Sequence, residues 1–492
     1  MQRWIGWAAA GLAALIVIGC GQGISTIETS ATSPIPDASQ TISAADRETA
    51  RADAIATVRT HATETALIPT ITPIPPTSTA TFTPNVPLSA KGPWLVFTAD
   101  LPDDAIIFNT LWAINSDGTG LTQLTTDYVW LFAINSQPDA NGEIEIAYIT
   151  SPTAMPTNLD LHTISLPSRN IRSITPLTSP ATTLTDQDPN TPDSGYWELH
   201  DIAVSITYDE SLAWSPDGKW LAFVGAIDGN TADVYCYELS TGIVRHLTTG
   251  AANAFQLLWT PDSHYIVHTS QYGAFGLSGG LYRKVHNVWA AAPDGSSVIE
   301  LDSGPADFLG WADPDTLVLY SGEDYGYSDA LRTINLRTGS IIDLEPKCFT
   351  SLAYSPEGNT FLIFVSSYEI TACKMESNWK EGLYVISGTH VVEVKSPLTP
   401  SAILPLKWSP EAGMFLGHTE WAAFKGITLS GEVVSSSPYP IPSQDTAVSN
   451  DGSLWAWVDY AGWYIASAPN FEAHRVIQNG VLETWSELKW TP

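Results

Sequence analysis

The chain has 492 residues, too long for one small domain and long enough to bury a large core. It carries 52 acids against 21 bases, a net charge of −31 that reflects a shortage of Lys and Arg, since only 15% of residues are charged. With no basic run, nucleic acid and anionic lipid headgroups are poor partners, while 19 Trp, 35 Gly and 34 Pro suit many short strands and tight turns.

Arg3 is the only charge before an apolar run from Trp4 to Gly19 (WIGWAAAGLAALIVIG). A short basic start followed by such a run reads as a signal peptide over residues 1–19, and a spanning helix would need roughly 20 apolar residues. The run ends in Val17-Ile18-Gly19-Cys20, which resembles a bacterial lipobox. The resemblance implies that Cys20 is acylated and becomes the new N-terminus, so that the protein is anchored by lipid on the extracytoplasmic face of a cell membrane. Gly21 follows, so no Asp retention signal is evident.

Residues 20–90 form a tether of Thr, Ser, Ala and Pro with almost no aromatic side chain. Such a stretch cannot bury enough apolar surface to offset its ordering entropy. The part from Ala44 to Ala66 favours a frayed helix, and the Pro-rich part after it favours polyproline II, about 3.1 Å per residue.

Residues 91–492 carry an internal repeat. LAWSPDGKWLAF (212–223), LLWTPDSHYIVH (257–268), LAYSPEGNTFLIF (352–364) and LKWSPEAGMFLGH (406–418) each read as strand, Ser/Thr-Pro turn, strand. Weaker copies begin at residues 131, 309 and 446. A second strand pair follows each copy around a polar turn, as in DVYCYELSTGIVRHLT (233–248). Four strands every 50 or so residues predict an all-β propeller of four-stranded antiparallel blades. The chain finishes on a first strand, Glu487-Leu488-Lys489-Trp490, and the domain opens on a second strand, Pro93-Trp94-Leu95-Val96-Phe97. Pairing the two closes the ring and gives eight blades, or seven if the copies at 131 and 446 are not blades. The Trp-Ser-Pro-Asp-Gly turns resemble the TolB-type, WD-repeat-like propeller of bacterial envelope proteins, a likeness that specifies fold far more than function.

Candidate chemistry is sparse. Gly276-Leu277-Ser278-Gly279-Gly280 matches a nucleophile-elbow pattern but falls between two strands of one blade, without the strand-to-helix setting that chemistry needs. Asp186-Gln187-Asp188-Pro189-Asn190 opens like a calcium loop, yet Thr191 replaces the turn Gly and Trp197 the bidentate Glu. No metal or other cofactor is expected. Cys348 and Cys373 fall at the same end of adjacent strands, where an oxidising envelope favours a disulfide, and Cys236 at a strand centre reads as a buried thiol.

The connections carry more information. In a four-strand meander the first and third turns share one face, and here all are short. The long insertions, Thr178–Glu198, Gln271–Lys284, Gly322–Asp329 and Ser366–Lys380, all fall on the opposite face. Their aromatics, with Trp197, Tyr272, Tyr325, Tyr327 and Trp379 foremost, are the candidate ligand-binding residues. Neutral loop growth on one face is the competing explanation. Inner strands also begin near acids, Glu210, Asp307, Asp445 and Glu487, which would give the channel an acidic mouth. The favoured expectation is a recognition or scaffold module for a protein, peptide or glycan. The alternative is a glycosidase-like hydrolase working with paired mouth carboxylates, and a third is a structural envelope component without a small ligand.

Overall fold

The computed structural model describes residues 86–99, 109–179, 202–272, 284–344, 351–365, 379–395, 407–435, 446–478 and 487–492, with gaps of a few residues inside these ranges. The expected signal peptide, the expected lipobox and nearly all of the expected tether lie outside the described residues. No described helix is long and apolar enough to cross a membrane.

Among the described residues the strands form eight sheets, each of four antiparallel strands in meander order. The innermost strands are Leu488–Trp490 (blade 1), Tyr128–Ile134 (blade 2), Leu212–Trp214 (blade 3) and Asn253–Trp259 (blade 4), then Asp307–Asp313 (blade 5), Ser351–Ser355 (blade 6), Lys407–Ser409 (blade 7) and Thr446–Val448 (blade 8). Inner strands lie side by side between blades 2 and 3, 3 and 4, 4 and 5, and 6 and 7, and the inner strand of blade 8 meets the C-terminal strand of blade 1. That strand pairs antiparallel with Trp94–Ala99, Leu95 opposite Trp490 and Phe97 opposite Leu488. The fold is a closed eight-bladed propeller. Both weak repeats, at 131 and 446, are blades.

Burial explains why the strands read as they do. Second strands are covered on both faces by neighbouring blades, so they are continuous apolar runs: all six residues of Trp94–Ala99 are buried. Outer strands such as Ile171–Pro176 and Ile341–Leu344 are largely exposed edges, and they carry charges such as Arg172 and Asp343. Apolar clusters run between blades; the largest joins blades 2, 3 and 4 through Leu131, Leu161, Phe223, Val234, Leu257 and Trp259.

The repeat's Trp has a specific task. At the end of its inner strand it reaches back and donates its indole N–H to a backbone carbonyl of the preceding blade. Trp214 bonds Ala133 at 3.2 Å, Trp259 bonds Ala213 at 2.9 Å, Trp311 bonds Trp259 at 2.7 Å, and Trp490 bonds Ala447 at 3.4 Å across the closure. In blade 7 the indole N–H of Trp408 is buried without a hydrogen-bond partner. The Ser or Thr after the Trp organises the turn: Ser215 Oγ bonds Asp217 Oδ1 at 2.7 Å and accepts the Trp220 N–H at 3.0 Å.

The asymmetry of connections is built into this topology. On one face the chain crosses directly, as between Trp214 and Trp220 or between Glu238 and Ile243. On the other it makes its long excursions, from Ala99 to Thr110, Tyr272 to Lys284, Val365 to Gly382 and Pro176 to Leu212. The last of these includes a helical turn at residues 202–206. One expected insertion is corrected: in Gly322–Asp329 the strands of blade 5 continue to Glu323 and resume at Tyr327, which pair with each other. The extended ladder satisfies backbone groups that a long loop would leave to water, and residues 324–326 between the two strands lie outside the described residues.

Candidate functional site at the channel mouth

Inner strands begin on the face of the long connections, and there the ladders are irregular. Register shifts fall between Val129 and Leu131 in blade 2, Phe255 and Leu257 in blade 4, and Phe308 and Gly310 in blade 5. Each bulge inserts one extra residue into the inner strand and re-aims its side chain. The inserted residues are Trp130, Gln256 and Leu309, and Gln256 sits at φ +49°, a left-handed backbone uncommon for a residue with a side chain.

Two of the four expected mouth acids have described side chains. Glu210, just before the inner strand of blade 3, is exposed; its carbonyl accepts the Leu257 N–H at 2.6 Å, and its Oε2 accepts from Gln256 Nε2 at 3.3 Å. Glu487 lies just before the inner strand of blade 1, with Oε1 2.5 Å from Lys489 Nζ and Oε2 accepting the Phe132 N–H at 3.4 Å. Lys489 Nζ also donates to the Phe132 carbonyl at 2.7 Å and lies 4.9 Å from the centre of that ring. Glu487 and Lys489 thus tie blade 1 to blade 2. Glu210 is separated from Glu487 by all of blade 2, and each carboxylate is engaged by a neighbouring blade. Asp307 is the first residue of the inner strand of blade 5, opposite Tyr320, and Asp445 lies outside the described residues.

The aromatic candidates divide. Tyr272 ends the second strand of blade 4 opposite Lys284, and Tyr327 opens the third strand of blade 5 opposite Glu323. Trp197 and Tyr325 lie outside the described residues, as do Cys20, Cys348, Cys373, the Gly276–Gly280 stretch and the acidic run at 186–190. Trp379 departs from the expectation of an exposed anchor. It is half-buried, meets Tyr384 edge-on at 4.8 Å and packs on the cluster between blades 5 and 6, because an indole beside an open core face gains more from burial than from water.

Two groups escaped the sequence reading. His268, on the second strand of blade 4, is fully buried with Nδ1 3.4 Å from the Thr269 carbonyl, and burial pushes its pKa down to about 4. On blade 3, His246 stacks on Tyr235 at 4.4 Å between two carboxylates, with Nε2 3.3 Å from Asp233 and Nδ1 3.6 Å from Asp228. Burial raises the Asp233 pKa, and the adjacent His246 opposes the rise. These carboxylates approach opposite nitrogens of the ring, so the trio does not converge on a cation. Among the described residues no three His, Cys, Asp or Glu side chains are placed to hold a metal ion. Cys236 is buried, and desolvation pushes its thiol well above the usual range. The pattern signal available in the sequence was weak, since a single His in a strand has no ligand spacing.

No protein-family profile matches the chain. Among curated proteins, 60 residues are 37% identical to the uncharacterized peptidase YuxL of Bacillus subtilis (strain 168), 12% of this chain and 9% of that protein. The chain therefore matches less than a tenth of that relative's length. Similar solved structures include TolB from Acinetobacter baumannii (17% identity, 61% of this chain and 62% of that one, TM-score 0.31). They also include the propeller domain of the Trilobed protease from Pyrococcus furiosus (12% identity, 72% and 97%, TM-score 0.38). Acylaminoacyl peptidase from Pyrococcus horikoshii is a third, at 12% identity, 70% and 52% coverage and TM-score 0.39. Likeness at this level concerns the fold alone, and the count of eight blades rests on the sheet order of this chain.

Proposed function

We propose that this protein is a lipid-anchored recognition module on the extracytoplasmic face of a cell membrane, binding a protein, peptide or glycan through the face of the long connections. The observation that carries the reading is the segregation of connections: direct turns on one face, excursions such as Val365 to Gly382 and Pro176 to Leu212 on the other. A rigid scaffold that confines its variable segments to one side offers that side for binding. The incoming chain supports the same orientation. Residues 86–93 run against the turn after Asn115, whose Nδ2 bonds the Pro87 carbonyl at 3.3 Å and whose Oδ1 accepts the Ser89 N–H at 2.8 Å. That turn belongs to the direct-turn face, so the described segment 86–93 lies on the side away from the long connections. The Val17-Ile18-Gly19-Cys20 run supports the anchor.

The test has two arms. Cys20→Ser in the full-length protein moves it from the membrane fraction to the soluble one; a variant that stays in membranes after a high-salt wash overturns the anchor. For the binding face, partners captured from envelope extracts are titrated against Ala at Trp197, Tyr325 and Tyr327, and against Ala at Asp117 and Lys219 on the direct turns. Losses confined to the first set support the reading, and equal losses on both faces overturn it.

A further inference from the structure

The exposed large aliphatic side chains of the described residues are not spread over the ring. Ile171, Ile243, Val298 and Ile341 are the first residues of the outer strands of blades 2, 3, 4 and 5, and Val391 and Val434 are the second residues of those of blades 6 and 7. Ile299 and Ile342 double the positions in blades 4 and 5, and Leu429 stands in the turn that leads into the outer strand of blade 7. All are between 36% and 59% exposed.

An outer strand begins where the third turn of its meander ends, which is on the direct-turn face. Equivalent positions of successive blades lie on one circle around the propeller axis, since each blade repeats the last by rotation. Six consecutive blades thus carry an aliphatic rim at the edge of one face. Val86, the first described residue of the incoming segment, is exposed on that face too, where its neighbour Pro87 meets the turn after Asn115. Single exposed aliphatics are ordinary on any protein, whereas a row at one level marks a surface that something covers.

Charge decides what the cover is. Carboxylates stand among the aliphatics, Asp294 and Glu300 in blade 4, Glu393 in blade 6 and Glu432 in blade 7. Two bases of the same face, Lys219 and Arg337, are already paired with Asp217 and Asp315. Two such faces pressed together would set acids against acids, and an anionic lipid surface would meet the same repulsion. A zwitterionic bilayer presents its ammonium groups to the carboxylates and the apolar boundary beneath them to the aliphatics. Each rim residue contributes weakly. A domain held to the bilayer by its own chain needs little further affinity to stay against it, because the tether sets a high effective concentration.

We propose that the direct-turn rim of blades 2 to 7 rests on the surface of a zwitterionic bilayer, so that the face of the long connections points away from the membrane. The proposal rests on the reading that the protein is lipid-anchored, and adds the surface by which the propeller lies against the bilayer.

The test uses the full-length protein in phosphatidylcholine vesicles, with a photo-crosslinking residue placed at one position at a time. Ile171→p-benzoylphenylalanine, Ile243→p-benzoylphenylalanine and Ile342→p-benzoylphenylalanine are compared with the same replacement at Pro152 and Thr249, exposed positions in long connections of blades 2 and 3. Irradiation is expected to give lipid adducts at the three rim positions and none at the other two. Ile243→Ser, Ile299→Ser, Ile342→Ser and Val391→Ser together reduce the adducts at position 171 to the level of the reference positions, with an unchanged melting temperature because all four side chains are exposed. Adducts also fall on phosphatidylglycerol vesicles, where like charges oppose contact. A protein that floats with the vesicles but gives no rim adducts retains its anchor and overturns the rim, so the two readings fail separately; failure to float overturns both. Adducts that are equal on both faces, that persist in the Ser variant or on phosphatidylglycerol, or that join two protein chains at the rim instead of lipid also overturn the proposal.

Discussion

The Thr491 hydroxyl accepts the backbone N–H of Trp94 at 2.8 Å, and the Thr491 N–H donates to the Trp94 carbonyl at 2.9 Å. Ser215 and Trp220 make the same exchange within blade 3, at 3.0 Å and 2.8 Å. Five residues separate the partners there, and 397 separate them at the closure. The two ends of the domain therefore rebuild, from separate pieces, the turn that the repeat makes locally.

Truncation before Glu487 is expected to be severe. It removes Leu488 and Trp490 from the core shared with blade 8 and bares the edge of Trp94–Ala99. The loss is on the order of 5 kcal/mol, read as a large fall in melting temperature with aggregation through the open edge. Thr491→Val is milder, leaving the Trp94 N–H without its acceptor at a cost of about 1–3 kcal/mol.

The indole bonds between blades make a graded series. Trp259→Phe loses the bond to the part-buried Ala213 carbonyl, costing about 0.5–1.5 kcal/mol beyond the lost volume. Trp408→Phe removes a donor that has no partner, so it costs only the volume. Denaturant unfolding of both variants checks the ranking; equal losses would mean that the bonds contribute little beside packing.

Acid sensitivity follows from His268. Its pKa is held down from 6.5 to about 4, so the unfolded chain takes up the proton more readily than the folded one. The stability it contributes is full above pH 6.5 and is lost as the pH falls through the window from 6.5 to 4, by up to about 3 kcal/mol. His268→Gln flattens that part of the profile, measured by unfolding at a series of pH values.

Gly218 lies at φ +71°, and a Cβ there would meet Asn135 Oδ1 and Gln137 Cβ at 2.7 Å. Gly218→Ala therefore combines left-handed strain with a clash against the turn of blade 2, and costs about 2–4 kcal/mol. Gly339→Ala, at φ +68° with nothing within 4 Å, carries the strain alone, about 1–2 kcal/mol. Paired thermal melts separate the two contributions.

The fold was legible because its determinants are local. Ser215-Pro216-Asp217-Gly218 specifies a turn within four residues, and the half-motifs around Trp490 and Trp94 announce the closure. The irregularities were not legible, since alternation along Phe255-Gln256-Leu257 does not mark which residue a bulge inserts. Polar, Tyr-rich composition likewise concealed that Glu323 and Tyr327 continue a ladder. Of the candidate site, the acid at Glu210 was anticipated from its place before an inner strand. The burial of His268 depends on contacts between strands distant in sequence, which no local pattern encodes.

The strand that seals blade 1 is three residues wide, in register with Leu95–Phe97. These pairs join residues at opposite ends of the domain, so forming blade 1 closes the longest loop in the fold and carries its largest loop-closure entropy.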